Sequence, residues 1–345
     1  MKALVISKQG PIVHENVALA DWPEPPAPPT GHARVRTLCS ALNHLDLWVG
    51  KGVPGLKLSY PRIGGSDACG IIDAVGPDTD ASWLGKQVIL NAATARPAAP
   101  RPDDPPSPIA ADYELLGEHH NGVHAQFFNA PVDNLQHVPN IDPAHAAAFG
   151  LTFLTAYSML VTKAQVRPGH FVLITGIGGG VATATLNLCV ALGARPIVTS
   201  RQQWKLDKAR QLGAIAGILD DGTDFSRKVR EATAGRGVDI AIDSSGKATH
   251  LWCIKSLARG GTYATPGCTS GPDATTDLAR IFWNQLRILG STMGSNDEFA
   301  SLAAMLRAGK LAPVVDKVFP AANGADAYAH LAASQQMGKV VIDWR

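Results

Sequence analysis

The sequence predicts a chain of two domains, one all-β and barrel-like, the other α/β on a parallel sheet. Three observations carry this. The chain has 345 residues, more than one ordinary hydrophobic core serves. Residues 1–150 alternate short apolar runs with Gly and Pro clusters, and from about Leu151 apolar strands alternate with helical segments.

In the first region the apolar runs are Ala3–Ile6, Ala33–Val35, Gly70–Val75 and Gln87–Leu90. Clusters such as PEPPAPPTG separate them. Short runs punctuated this way read as strands and turns. The Pro-rich stretch 97–108, PAAPRPDDPPSP, is expected to be an exposed loop, because proline breaks both helices and central strands. LTFLTAYSMLV then reads as an amphipathic helix. Strand and helix signals follow in turn: HFVLITG and VATATLNLCVALGA, PIVTS and QWKLDKARQLGA, AGILD, VDIAIDSSG and a helix through Lys255, and GTYATPG. Such alternation means βαβ units and a parallel sheet. The tail has a helix, EFASLAAMLRAG, then short strands ending on GKVVIDW.

Composition narrows the function classes. The chain is 46% hydrophobic and 17% charged, with net charge +2, so no basic nucleic-acid footprint is expected. No apolar run approaches the roughly 18 residues of a membrane span. The first residues, MKALVISKQG, read as a strand rather than a secretory leader. Five cysteines stand at 39, 69, 189, 253 and 268, with no CxxC pair. A reduced, cytoplasmic protein is the expectation.

The strongest local signal begins at Phe171. A buried strand runs into Gly176, Gly178, Gly179 and Gly180, then Val181 and a helix. Gly176 suits a tight turn and Gly178 a close backbone approach to a pyrophosphate, with the helix N-terminus offering unpaired N–H groups. The third glycine of the usual fingerprint falls at Val181. The next strand ends at Ser200-Arg201, with Lys205 a helical turn on. NAD sites usually carry a carboxylate there, for the ribose 2′-OH. A small hydroxyl and two cations suit a 2′-phosphate instead, so NADP(H) is expected over NAD(H). The bland alternative is that Arg201 and Lys205 are solvated helix charges.

ALNHLDLWVGKG, PRIGGSDACGIIDAVG, GVHAQFF, LTFLTAY, TGIGGGVA, LGSTMGS and GKVVI, in that order, resemble the medium-chain dehydrogenase/reductase superfamily over essentially the whole chain. The resemblance implies a GroES-like β-barrel catalytic domain, residues 1–151 and 295–345. It implies an inserted Rossmann domain with a doubly wound parallel sheet, residues 152–294. It also implies a homodimer or homotetramer.

Zinc alcohol dehydrogenases of this superfamily bind catalytic zinc through Cys, His and Cys. The matching positions here are Asn43, Ser66 and Leu151, and the hydroxyl relay position is Leu45. Zinc needs three N, S or O ligands, so the zinc-free quinone oxidoreductase-like branch is the nearer likeness. That branch implies reduction of quinones or activated C=C bonds, whose enolate oxygen needs only hydrogen-bond donors. Asn43 is expected to touch the nicotinamide ribose or a substrate carbonyl, or else to cap the following helix. His44 is a candidate proton donor, and Asp46 is expected to organise the loop. Asp67 is a further carboxylate. His119, His120 and His124 form a local cluster with weak metal-binding potential. By family position, further cofactor contacts fall at Thr155, Ser244, Ser245, Gly267, Cys268, Thr269, Met293, Gly294 and Lys339, with Ser270 in the same loop. A zinc-type alcohol dehydrogenase and an NADPH-binding protein without catalysis are the alternatives.

Overall fold

The structure is a computed structural model and describes residues 1–95, 108–110 and 112–345. Most of the Pro-rich stretch 97–108 therefore lies outside the described residues. The chain divides into two compact units, Met1–Leu154 with Gly294–Arg345, and Thr155–Met293.

The first unit begins with strands β1 (Lys2–Ile6), β2 (Val17–Asp21) and β3 (His32–Ala41), helix α1 (His44–Lys51), and strands β4 (Arg62–Ile63), β5 (Ala68–Val75) and β6 (Gln87–Leu90). Next come β7 (Ala93–Ala95), β8 (Tyr113–Leu115), β9 (Phe127–Pro131) and β10 (Leu135–His137), then helices α2 (Pro143–Ala147) and α3 (Gly150–Tyr157). Alternation along β3 buries every second side chain from Ala33 to Thr37, the signature of a strand with one face in the core. LTFLTAYSMLV departs from its expectation. α3 passes into a wider π-helical turn over Ser158–Lys163, and nearly all of Leu151–Leu160 is buried. A segment so apolar on every side presents no amphipathic face.

The second unit holds β11 (Phe171–Ile174), α4 (Gly180–Ala191), β12 (Arg195–Ser200), α5 (Gln203–Gln211), β13 (Ala216–Leu219) and α6 (Ser226–Glu231). It continues with β14 (Val238–Ile242), α7 (His250–Ser256), β15 (Leu257–Thr265), α8 (Leu278–Asn284) and β16 (Arg287–Gly290). Its six strands are parallel in the order β13-β12-β11-β14-β15-β16. Numbered within the unit this is 3-2-1-4-5-6, the doubly wound dinucleotide-binding order, whose crevice opens between strands 1 and 4. The core between sheet and helices includes Leu173, Ile197, Phe225, Val238 and Ile254. The sequence pattern passed over α6, α8 and β16. α8 leaves Leu278, Phe282 and Trp283 largely exposed, so it carries no core-facing apolar stripe to find.

The chain then returns to the first unit with α9 (Asn296–Arg307), β17 (Val315–Pro320), α10 (Gly324–Ala332) and β18 (Lys339–Asp343). The tail was expected to hold only strands after α9; α10 corrects that. β18 lies antiparallel to β3, pairing Val341 with Ala41 and Ile342 with Ser40, and parallel to β17. The sheet order is β10-β6-β5-β3-β18-β17, with β9 also on β3. Leu4, Ile6, Leu42, Leu47, Tyr328, Val340 and Ile342 pack into one core, which ties the C-terminal strand to the start of α1.

Candidate functional site

In the first unit the polar stretch at 43–46 opens α1. Asn43 is extended at the N-cap position (φ −120°, ψ 160°). Its backbone N–H donates to Asp46 Oδ2 at 2.7 Å, which anchors the first turn. The Asn43 side chain turns elsewhere. Its Nδ2 donates to Asp67 Oδ2 at 2.9 Å, and its Oδ1 accepts from Lys339 Nζ at 2.5 Å. Lys339 also pairs with Asp67 Oδ2 at 2.9 Å. Asp67 Oδ1 accepts from the Leu151 backbone N–H at 2.6 Å. Asn43, Asp67 and Lys339 are all at most 5% exposed, so this is a buried ion pair completed by an amide. Such pairs persist where every remaining acceptor is satisfied.

Asp46 Oδ1 accepts from Gly65 N–H at 2.8 Å. Gly65 has φ +100°, and a side chain there would run into the His124 ring. His124 is fully buried, with Nδ1 2.8 Å from Ser40 Oγ and Nε2 3.6 Å from Asp46 Oδ1. Trp344 Nε1 donates to the same Ser40 oxygen. His44 behaves differently. Its ring is exposed and edge-on to Trp48. The surrounding protein lowers its imidazole pKa, and the Lys51 ammonium adds to this. The EHHNGVH histidines do not converge on one point. His119 Nδ1 accepts from Leu115 N–H and His120 meets Glu114, while His124 is turned inward. Among the described residues no group of three or more His, Cys, Asp or Glu side chains is arranged to hold a metal.

In the second unit the cofactor residues gather at the carboxyl ends of the strands. Gly176 and Gly178 have φ +63° and +119°, which allows β11 to turn sharply into α4. Gly179 is the N-cap, without a side-chain cap or an acidic residue in the first turn. The N–H groups of Gly180, Val181 and Ala182 precede the first intrahelical bond, so they are available to an anion. Opposite them, past β14, lie Ser244 and Ser245; a Cβ on Gly176 would sit 3.6 Å from Ser245 Oγ. The loop after β15 packs on these serines, with Thr269 N–H donating to Ser244 O and Ser270 N–H to Ser245 O. Gly267 has open space where a Cβ would stand, and Cys268 is half-buried as a free thiol. At the end of β12 Ser200 is nearly buried, with its Oγ accepting from Gln202 N–H, while Arg201 is exposed. Lys205 is buried, its ammonium 5.3 Å from the centre of the Trp204 ring. Thr155 Oγ1 donates to Met293 Sδ at 3.7 Å.

Two positions expected among the cofactor contacts have other roles in their unit. Lys339 belongs to the Asn43–Asp67 cluster. Gly294 is needed by packing, because a Cβ there would collide with Glu298 and Leu154. The sequence reading missed the central place of Asp67, and it missed Ser40 and Asp243 altogether. Asp243 is fully buried beside the glycine loop. The one available signal was a carboxylate ending the apolar strand VDIAID just before SSG.

Comparison with known proteins places this geometry. Residues 29–140 match the alcohol dehydrogenase GroES-like domain, and residues 180–308 the zinc-binding dehydrogenase domain. A zinc-type alcohol dehydrogenase-like protein of Schizosaccharomyces pombe is 31% identical over 320 residues, 90% of each chain. The chain belongs to the medium-chain dehydrogenase/reductase superfamily. A second relative in it, a 2-haloacrylate reductase of Burkholderia sp, is 28% identical over 363 residues, 99% of this chain and 98% of its own. The solved structure of an NAD-dependent alcohol dehydrogenase matches with a TM-score of 0.92, 37% identity and full coverage of both chains.

The superfamily's zinc can be tested against these residues. Asn43 has both side-chain polar atoms engaged by Asp67 and Lys339. Ser66 Oγ donates to Leu116 O at 2.7 Å, and Leu151 offers only a backbone N–H, already given to Asp67. A lysine ammonium bonded to the first position and no anionic or imidazole donor at the other two do not fit catalytic zinc. The dinucleotide site does fit: an uncapped helix N-terminus, a positive-φ glycine turn and the topological switch point coincide.

Proposed function

We propose that the protein is an NADP(H)-dependent oxidoreductase that reduces electron-poor acceptors, quinones or activated C=C bonds, without zinc. The observation that carries this reading is the Asn43–Asp67–Lys339 cluster. It fills the first metal position with an amide already bonded to a cation. Without a Lewis acid, simple ketones and alcohols are poor partners, whereas an acceptor already polarised by conjugation needs only hydrogen-bond donors at its oxygen. Asn43 is the residue proposed to offer such a contact to the acceptor or to the nicotinamide ribose, through the second N–H of an amide whose first is held by Asp67. The name of the 2-haloacrylate reductase, a conjugated-acid reductase, supports the acceptor class.

When bound, the nicotinamide supplies the hydride. The glycine turn and the N–H groups of Gly180 to Ala182 are proposed to hold its pyrophosphate. Ser200 and Arg201 are proposed to hold the ribose 2′-phosphate, since no carboxylate stands at the end of β12 to repel it. Asp46 serves by fixing the turn that presents Asn43. His44 is neutral near pH 7, so its proposed part is a contact rather than an acid. A homo-oligomer is also proposed: among the described residues nothing covers the outer edge of β16 or the exposed apolar side chains of Leu278, Phe282 and Trp283.

NADPH oxidation against a panel of quinones, enones and simple aldehydes, with metal content measured on the same sample, tests the reading. Turnover of quinones or enones with substoichiometric zinc is expected. Stoichiometric zinc with turnover of saturated alcohols would replace it by the alcohol dehydrogenase reading, which the 37%-identical solved relative favours by name. Tight NADPH binding with no turnover of any acceptor would leave a binding role. Arg201→Ala should weaken NADPH at least about tenfold and leave NADH unchanged; equal losses would remove the 2′-phosphate assignment.

A further inference from the structure

Asp243 has 0% exposure, and its carboxylate gathers five neutral donors. Oδ1 accepts from Thr175 Oγ1 at 2.6 Å, Thr249 Oγ1 at 2.8 Å and Ser245 N–H at 3.0 Å. Oδ2 accepts from Thr249 Oγ1 at 2.9 Å, Tyr263 OH at 3.0 Å and Gly246 N–H at 3.4 Å. His250 stands close by, edge-on to Tyr263 with its Nε2 on Thr276 Oγ1, and burial lowers its pKa against the pull of Asp243. A buried carboxylate held only by neutral donors is costly to desolvate. Five donors converging on it offset that cost, and the carboxylate in turn holds each of them in place.

The donors come from both lips of the crevice. Thr175 is the residue before Gly176, so its hydroxyl tethers the glycine turn. Ser245 and Gly246 belong to the loop facing that turn. Thr249 opens α7 and Tyr263 lies on β15. One side chain therefore ties strand 1, strand 4 and strand 5 of the sheet together at the switch point.

We infer that Asp243 is a positioning residue for the dinucleotide: it sets the gap between the glycine turn and the Ser244–Gly246 loop into which the pyrophosphate would fit. The inference rests on the nucleotide reading above. It concerns the width of the site and not its phosphate selectivity, so the two are separable by experiment.

The test uses Asp243→Asn and, should that variant fold poorly, Thr175→Val, which cuts only the tether to the glycine turn. Binding of NADPH and of adenosine 2′-monophosphate is measured well below the melting temperature, together with amide hydrogen exchange of the unliganded protein. NADPH Kd should rise about tenfold in Asp243→Asn and about threefold in Thr175→Val. Adenosine 2′-monophosphate, which carries no pyrophosphate, should bind as in wild type. Exchange at residues 176–180 and 245–246 should quicken in both variants. A role in stability alone would lower the melting temperature and leave NADPH affinity and loop exchange unmoved, which would overturn the inference. Equal loss of both ligands would also overturn it, pointing to general loosening. Failure of the wild type to bind NADPH would instead remove the nucleotide reading, while unchanged exchange would remove the clamp whatever binds there.

Discussion

Asp67 and Asp243 are both fully buried, one in each unit, and their surroundings differ in kind. Asp67 meets a lysine, an asparagine amide and one backbone N–H. Asp243 meets three hydroxyls and two backbone N–H groups. The first is a concentrated arrangement, in which one partner balances most of the charge. The second is distributed, and no single donor decides it. The difference matches what each cluster holds. The Lys339–Asp67 pair fixes the field around one side chain, Asn43. The Asp243 donors fix the relative places of several loops.

The comparison is broken most severely at Lys339. Lys339→Met strands a buried carboxylate, and loss of one partner of a buried pair costs about 3–5 kcal/mol. Denaturant unfolding should show a loss of that size. The double variant Lys339→Met, Asp67→Asn should recover at least half of it, because no charge is then left unpaired. A single variant within about 1 kcal/mol of wild type would show that Asp67 is satisfied without the lysine.

At Asp243 the matching change should be milder. Tyr263→Phe removes one neutral donor of five and leaves no donor unsatisfied in return. The expected cost is about 1.5–3 kcal/mol, the net worth of a hydrogen bond to a charged group. Burial, with the Asp243 carboxylate adding to it, holds the Tyr263 phenol well above its usual pKa. Tyr263 therefore stays protonated, and its contribution should be the same at pH 6 and pH 9. A loss as large as that of Lys339→Met would mean that the distributed cluster is no more tolerant than the concentrated one.

These two clusters also mark where a sequence can be read and where it cannot. The centre of the parallel sheet was legible because β11, β12 and β14 are largely buried on both faces and appear as mostly apolar runs, whereas the edge strand β16 is mostly exposed. The glycine turn was legible because strand, turn and helix are contiguous. Asn43, Asp67 and Lys339 lie hundreds of residues apart in part, and the pairing of β3 with both β5 and β18 brings them together. Nothing local at Lys339 distinguishes a cofactor lysine from an internal counter-ion. Asp243 was hidden for the opposite reason. Its donors are ordinary Thr, Tyr and backbone groups, and their significance is purely geometric. α10 escaped notice because GADAYAHLA is short and rich in alanine, with only Tyr328 and Leu331 as large buried anchors.

The smallest expected effect is at His44, which stands one residue from Asn43 but outside both clusters. Partial loss of water around the ring, with Lys51 adding repulsion, sets its folded pKa below the ordinary 6.5. As pH falls, the unfolded chain takes up this proton before the folded one does. Its contribution to stability is therefore full above pH 6.5 and is lost as pH drops through the lowered folded value. His44→Gln should flatten part of the fall in melting temperature between pH 7 and pH 5 and leave stability at pH 8 unchanged. Turnover at pH 7.5 should stay within about threefold of wild type, because general acid–base roles are worth about a hundredfold or more. A hundredfold loss, with the acid limb of the rate profile removed, would make His44 the proton donor. It would also shift the chemical centre of this unit from the buried amide of Asn43 to the exposed imidazole beside it.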